Sequence, residues 1–519
     1  MKTAKRLLSV LLVFVMIAAT VACSGGSSVT EDGNTTTATQ TEGSTGVCVL
    51  PGTQVPETPG IVDVEGWIQA PPDPYLSEFD GGNFIIIQHE SEESPFGYEE
   101  DSVFLPSVLN RIEEMETKYG CTVSFRTLAY GGSSFVADFC ALEFSGVGGD
   151  LLFSSDNSAA RRLVGKGGED SMLINLYALD NYLNVWDTDK WGTVASRETM
   201  MVGERIYGLT PALWVDCTPL PDYQLVYSRD VLAAFDLVDP AEYWENKAWD
   251  REAMLDLITS VYDDSGDYLV YGINAAVDHM QRASFLASGV STVVVDRINA
   301  DESVDWSYGL MTPEGKDALI WFKNAFKQNR KYFNSGKLAP EGSVETYHQA
   351  LVEGKAAFCL VRGRDVVESV FVDLPNFGLT CWAGLDANVL SGSYDNCYSV
   401  SIPVFAQNPY GSALLMYDLF EGLDGMQDYD DVLRYYRETY FKTYADAKML
   451  LRKNGNLQYS YQLHGGNKVW ETLAEKIVLS PYVIPVIENS IGTFASVAKE
   501  NALPNKVALL QYWGAGYFN

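Results

Sequence analysis

Apolar residues fall into alternating short runs and helical stripes over residues 83–153. Phe84 to Ile87 is an unbroken aromatic and β-branched run, fit for a strand buried on both faces. Leu105, Leu109, Ile112, Met115 and Tyr119 follow at helical spacing, with Gly120 placed to end that helix in left-handed backbone. Cys121 to Phe125 alternates like a strand, Phe135 to Leu142 reads as a helix, and Asp150 to Phe153 is a third apolar strand. Strand, helix, strand, helix, strand predicts a doubly wound parallel sheet. Ligands of such sheets sit beyond the carboxyl ends of the strands, so the loop Ser154-Ser155-Asp156-Asn157 is a candidate ligand edge.

The pattern breaks between Gly203 and Tyr227. Arg205 to Leu209 suits a short strand, but Pro211, Pro219 and Pro221 stop any ladder beyond it, because proline fixes φ and donates no N–H. Leu225 to Tyr227 then restarts an apolar strand, so the passage predicts a crossing between two lobes. A second set of elements follows. Met254, Leu257, Ile258 and Val261 form a helical stripe behind Asp250 and Glu252, and Thr312-Pro313-Glu314 opens a helix that buries Leu319, Phe322 and Phe326. Ala356 to Val361, Gly378 to Trp382 and Tyr398 to Val404 read as strands. Together the two sets predict an α/β protein of two lobes, each a doubly wound sheet flanked by helices.

Ahead of this body the pattern is different. Lys2, Lys5 and Arg6 precede an apolar run from Leu7 to Ile17 and the small residues Thr20-Val21-Ala22, which predicts a secretory signal peptide over 1–22. Residues 24–60 are mostly Ser, Thr, Gly, Glu and Pro, with no Lys or Arg and almost no large apolar residue, a composition that cannot offset its own ordering entropy. They predict a flexible tether reaching roughly 30–35 Å.

The net charge of -33, from 36 basic and 69 acidic residues, repels phosphate backbones and argues against nucleic acid as a partner. Beyond Cys23 there are seven cysteines, with no CxxC spacing, so neither a zinc site nor a dense disulfide framework is indicated; Cys121, Cys359 and Cys381 sit in apolar stretches as small buried hydrophobes. The four histidines form no HExxH pair, no Gly-Lys is set in a phosphate-cradling loop, and no GxSxG elbow occurs. No catalytic residue, metal ligand or cofactor is therefore assigned. Asp263-Asp264-Ser265-Gly266-Asp267 lacks the alternation of a calcium loop and reads as a turn. Tyr, Phe and Trp make up 12% of the chain, and flat rings with polar tips suit sugar faces. Trp321 reads as helix packing, while Trp214 beside the crossing and Trp382 at a strand end stand between cleft and core.

The order of several segments resembles the extracellular solute-binding proteins of bacterial ABC importers, family 1, of the maltose-binding type. They are Gly149-Asp150-Leu151-Leu152-Phe153, the crossing Tyr207-Gly208-Leu209 with Pro211, the strand-to-helix turn Tyr227-Ser228-Arg229-Asp230, Ala248-Trp249-Asp250, Gly354 to Phe358, and Tyr398 to Pro403. Thr20-Val21-Ala22-Cys23 similarly resembles a lipobox, the alternative being a freely secreted chain in which Cys23 is incidental. The resemblance implies a type II periplasmic-binding-protein-like fold with 61–212 plus 400–475 as lobe one, 213–399 plus 476–519 as lobe two, and Tyr410 to Leu423 packed on lobe one. It implies a lipoprotein, with lipid and palmitate on Cys23 and a 23–60 linker, held at the extracytoplasmic face of the cell membrane by that anchor alone. It further implies a monomer that captures a carbohydrate and delivers it to permease subunits; a surface glycan-binding or glycan-processing lipoprotein is the alternative.

Candidate ligand residues are Ser154, Asp156, Asn157, Tyr207, Trp214, Arg362, Arg364 and Trp382. Where sugar-binding relatives place a Gly-x-Trp platform, this chain reads Val361-Arg362-Gly363-Arg364-Asp365. An arginine there either grips an acidic sugar through its planar fork or pairs with one of the many acids of the protein.

Overall fold

The computed structural model describes residues 82–459 except 90–93, 130–134, 145–147, 156, 165–170, 203–204, 267–268, 290–292, 299–303, 309–311, 335–343, 369–370, 372–373, 375, 395–396 and 454. The leader, Cys23, the tether, Asp156 and the 476–519 segment lie outside the described residues. Nine strands build the two principal sheets: β1 (Asn83–His89), β2 (Thr122–Leu128), β3 (Leu151–Ser154), β4 (Gln224–Ser228), β5 (Tyr271–Asn274), β6 (Phe333–Asn334), β7 (Ala356–Val361), β8 (Phe377–Cys381) and β9 (Ser399–Ser401). The helices that matter below are α1 (Leu105–Tyr119), α2 (Phe135–Phe144), α3 (Arg251–Ser260), α4 (Val277–Leu286), α5 (Pro313–Gln328), α6 (Val344–Val352), α7 (Gly363–Glu368), α8 (Pro409–Leu419), α9 (Tyr429–Thr439) and α10 (Tyr444–Leu450).

The first sheet runs β9-β3-β1-β2 and the second β6-β5-β7-β4-β8. In the first, β1 pairs parallel with β2 (Phe84 opposite Val123) and β3 (Ile86 opposite Leu151), and β9 lies antiparallel to β3 with Val400 opposite Phe153. In the second, β5 pairs parallel with β6 and β7, and β4 is antiparallel to both β7 and β8. Each sheet thus places one antiparallel strand beside its third parallel strand. The two differ in that β4 enters its sheet first and β9 enters last.

Side-chain alternation explains the layers. Phe84, Ile86, Leu151 and Phe153 belong to the large core that includes Val108, Ile112 and Met115 of α1, whereas Ile87 and Leu152 belong to a separate core with Phe135 and Phe139 of α2. A sheet with apolar residues on both faces needs helices on both. The ends of these helices follow local chemistry. Gly120 caps α1 at φ 61°, Asp250 accepts from the amides of Glu252 and Ala253, and Thr312 accepts from that of Gly315.

Three passages connect the sheets among the described residues. No strand runs through Pro211–Pro221; Leu209 instead exchanges both backbone hydrogen bonds with Val400, and the Asp222 amide donates to Ser393 O at 2.6 Å. The outgoing passage (207–223) and the returning one (382–398) therefore run side by side. The expected strand over Arg205–Leu209 is reduced to Arg205–Ile206, paired with Met201–Val202, plus the Leu209 bridge. The third passage leads from α8 to α10. Arg111 of α1 donates to the carbonyls of Asp418 and Gly422 (3.0 and 2.9 Å), fastening the end of α8 to the first lobe. By contrast α10, inside the 400–475 segment expected in lobe one, packs on β8 of the second sheet, where Asp446 accepts from the Leu379 amide at 2.8 Å. A buried carboxylate that needs a strand-edge amide and an arginine draws the helix to the sheet that offers both.

The remaining local expectations find their places. Ser265 donates from N and Oγ to Asp263 Oδ1, an Asx turn closed by the Asp263–Val270 bridge. Cys121, Cys359 and Cys381 are buried. No helix among the described residues is long and apolar enough to cross a membrane.

Candidate functional site

β7 carries the chain to the edge of the second sheet, and α7 begins at once with Gly363. A Cβ at that position would lie 2.5 Å from Pro221 O, so only glycine lets the helix start close against the outgoing passage, and the Gly363 amide also donates to Asp222 Oδ1 at 3.1 Å. This fixes the next residue. Arg364 donates from Nη2 to Asp216 O at 2.8 Å, and its guanidinium lies 5.1 Å from the Tyr398 ring, which in turn lies 5.6 Å from Phe153 at the end of β3. One side chain of the second lobe thus meets both passages.

Asp216 has an exposed side chain between the buried residues Val215 and Cys217. Protein nevertheless crowds the carboxyl, and that desolvation raises it above the usual carboxylate range, against the opposing pull of Arg364 and the Tyr98 hydroxyl. Tyrosines surround the pair. Tyr98 comes from the first lobe; Tyr436 of α9 donates to Val215 O at 3.0 Å, and Tyr440 packs on Tyr436 at 5.5 Å. Desolvation pushes the phenols of Tyr98, Tyr436 and Tyr440 up, so they stay neutral donors near pH 7. Arg364, Tyr398 and Tyr440 are half-buried, which leaves a carboxylate, a guanidinium and two aromatic rings reachable at the junction of the lobes. Such a set can donate to, accept from and stack on a hydroxylated ring.

The structure brings only some of the expected ligand residues to this junction. Arg364 is there, and Asn157 is linked to it by accepting from the amide of Cys397, the neighbour of Tyr398, at 3.4 Å. Ser154 is buried in the ladder opposite Ser399. Tyr207 is buried in the core that holds Phe135 and Phe139. Trp214 was placed between cleft and core, and it is core: it has no exposed surface, its ring meets Phe96 at 5.0 Å and Phe420 at 4.8 Å, and its Nε1 donates to Glu421 O at 3.0 Å. Trp382 is likewise buried, 6.4 Å from Phe322. Arg362 forms a fork with its neighbour Asp365, at 3.0 and 2.6 Å. Trp321 of α5 is half-buried and donates to Glu252 at 2.9 Å.

Asp216, Tyr98, Tyr398 and Tyr440 went unread as site residues. Asp216 carried a signal, being the one charged residue between Arg205 and Asp222 in an otherwise apolar passage. The tyrosines carried none, since nothing in their spacing distinguishes them from the other 27 in the chain. Among the described residues no group of three or more His, Cys, Asp or Glu side chains is placed to hold a metal ion.

Two lobes, two sheets with an antiparallel strand at the same place, and paired passages between them define the type II periplasmic-binding-protein-like fold. Solved structures with this fold resemble the chain over most of its length. A cyclo/maltodextrin-binding protein complexed with maltotetraose matches with a TM-score of 0.55 at 11% identity, covering 80% of this chain and 97% of that one. The sugar-binding protein MalE from the phytopathogen Xanthomonas citri matches with 0.53 at 12%, covering 81% and 98%, and the maltose-binding periplasmic protein MalE from Listeria monocytogenes, in complex with maltose, with 0.51 at 11%, covering 81% and 98%. At these identities the likeness is one of fold. No family model matches the sequence, and no curated protein matches it.

Proposed function

We propose that this protein is the extracytoplasmic receptor of an ABC importer, a monomer that captures a carbohydrate between its lobes and delivers it to the permease subunits. The observation that carries the reading is the exposed Asp216 beside Arg364, ringed by tyrosines, where residues of both lobes and both passages meet. The solved structures of the same fold that bind maltose or maltotetraose agree with it. Because Arg364 already has Asp216 beside it and Arg362 is taken by Asp365, the site suits a neutral sugar better than the acidic one that the arginines first suggested. Hydroxyls would donate to the carboxylate and accept from the guanidinium, while a sugar C–H face lies on Tyr398 or Tyr440.

Ligand that binds only the folded form raises its stability by about 2.7 kcal/mol at a hundredfold excess over Kd. A thermal-shift screen of the purified protein against neutral oligosaccharides, uronic acids, peptides and amino acids therefore identifies the ligand class. Neutral oligosaccharides should raise the midpoint; a rise with peptides alone overturns the reading. Reducing-sugar release should stay at background, since a receptor turns nothing over.

Delivery also requires the anchor at Cys23, which lies outside the described residues. Cys23→Ser should abolish incorporation of labelled palmitate and release the protein from the membrane fraction. Retention of label by that variant excludes the lipoprotein assignment.

A further inference from the structure

A second cavity lies wholly within the second lobe, away from the Asp216–Arg364 junction. It has a volume of about 280 Å³ and is framed by Ser284 and Ser288 of α4, by Glu314, Asp317 and Trp321 of α5, and by Arg251 at the start of α3. Ala383 and Gly384, just past β8, close the remaining side. There the backbone is pressed so near α4 that a Cβ on Gly384 would lie 2.4 Å from Ala287 O. The volume sits at the lower edge of the roughly 300–1,000 Å³ of ordinary ligand sites, which sets the size of an occupant at about one sugar ring.

The polar groups at this cavity are incompletely used. Ser284 is only 5% exposed, lines the cavity, and its Oγ has no hydrogen-bond partner among the described residues. A buried hydroxyl without a partner keeps its desolvation cost uncompensated, and a ligand that donates to it or accepts from it recovers that cost.

Charge selects the ligand. Arg251 donates to Asp317 at 2.6 Å and holds its guanidinium 5.3 Å from the Trp321 ring, so that carboxylate is paired and the cation–π position on one face of the ring is already filled. Glu314, Asp317 and the Glu252 carboxylate on the Trp321 N–H repel anions. An uncharged molecule with hydroxyls on its rim and a flat C–H face for the part of the indole that lines the cavity meets no such repulsion and needs no cation–π position.

We propose that this cavity is a second ligand site, specific for a single neutral, polyhydroxylated ring of monosaccharide size. Trp321 supplies the stacking face, Ser284 and Ser288 supply hydroxyl contacts from α4, and the Arg251–Asp317 pair fixes the ring edge.

Ligand-observed NMR on the full purified protein tests this, with methyl α-D-glucoside, methyl β-D-glucoside and myo-inositol as neutral probes and choline and acetate as charged ones. The Asp216→Asn variant serves as the background, so that a sugar site between the lobes contributes only weakly. Saturable binding of a neutral probe is expected there, weakened about tenfold by Trp321→Ala and by Ser284→Val. Trp321→Phe, which keeps a ring, should bind within a fewfold of the parent. Absence of saturable binding by every neutral probe, binding of undiminished affinity in Trp321→Ala, loss in Trp321→Phe, or preference for choline or acetate would each overturn the site. None of these outcomes bears on the interlobe reading, which is scored by the loss that Asp216→Asn itself causes.

Discussion

Asp446, whose side chain has no exposed surface, holds both carboxylate oxygens 3.0 Å from Nη2 of Arg229, a residue 217 positions earlier. Arg229 also reaches Asp239 at 2.5 Å, and Asp446 accepts from the Leu379 amide and from Thr443 Oγ1. Removing one member of a buried, hydrogen-bonded ion pair leaves the other charge unmatched, at roughly 3–5 kcal/mol. Asp446→Ala should therefore lower the chemical-denaturation stability by about that amount. A loss below about 1 kcal/mol would mean that Arg229 is satisfied by Asp239 alone.

Asp216 lies at the opposite extreme, an exposed carboxylate whose surroundings already disfavour its charge. Asp216→Asn removes that penalty and should not lower the unliganded melting point. Sugar affinity measured by calorimetry should fall by roughly 1.5–3 kcal/mol, the scale of a hydrogen bond to a charged group. Arg364→Gln should act in the same direction on affinity. Unchanged affinity in both variants would move the ligand elsewhere.

His348 of α6 should give the protein an acid-sensitive limb. It is 1% exposed, packs 4.4 Å from Phe371, and its Nε2 has no partner among the described residues. Burial lowers it to about 4, with Asp365 opposing and Arg362 adding to the effect. The unfolded chain, with a histidine near 6.5, takes up the proton first, so the stability this residue contributes is complete above pH 6.5 and is lost as pH falls towards 4. The loss is on the order of 3 kcal/mol. His348→Gln should flatten the melting temperature between pH 6.5 and 4.5 relative to the parent; identical profiles would show that other groups set the limb.

Trp214 separates packing from binding. With its ring enclosed by Phe96, Phe420 and Tyr98, Trp214→Ala should cost roughly 3–5 kcal/mol of stability. Trp214→Phe, which refills most of the space, should bind sugar as the parent does. Loss of binding by a Phe variant of near-parental stability would return Trp214 to the ligand site.

Much of the fold could be read locally. The β1 run, the α1 stripe with Gly120, and the caps at Asp250 and Thr312 each encode an element within a few residues, and the prolines of 211–221 mark where a ladder must stop. The membership of α10 could not be read that way. It depends on Asp446 finding Arg229 and Leu379, and no local pattern contains that meeting. The candidate site was half legible for the same reason. Arg364 stood out because it departs from a motif, whereas Tyr398 and Tyr440 reach it only through tertiary packing. Trp214 misled because a tryptophan beside a crossing satisfies two descriptions, and only the positions of Phe96 and Phe420 decide between them.

The late arrival of β9 sets the order in which the molecule can fold. Phe153 waits for Val400 before β3 has a neighbour on its outer side, and between those two residues lies the whole of the second sheet. A chain emerging from its N-terminus would thus carry an incomplete first lobe, with one strand edge unpaired, until nearly four hundred residues had appeared. Closing so long a loop is slow compared with forming local helices. The first lobe is consequently unable to reach its final form early. Were the chain exported through a narrow channel before folding, as its N-terminal sequence leads one to expect, that delay would be an asset: the fold would withhold its own completion until passage was almost finished.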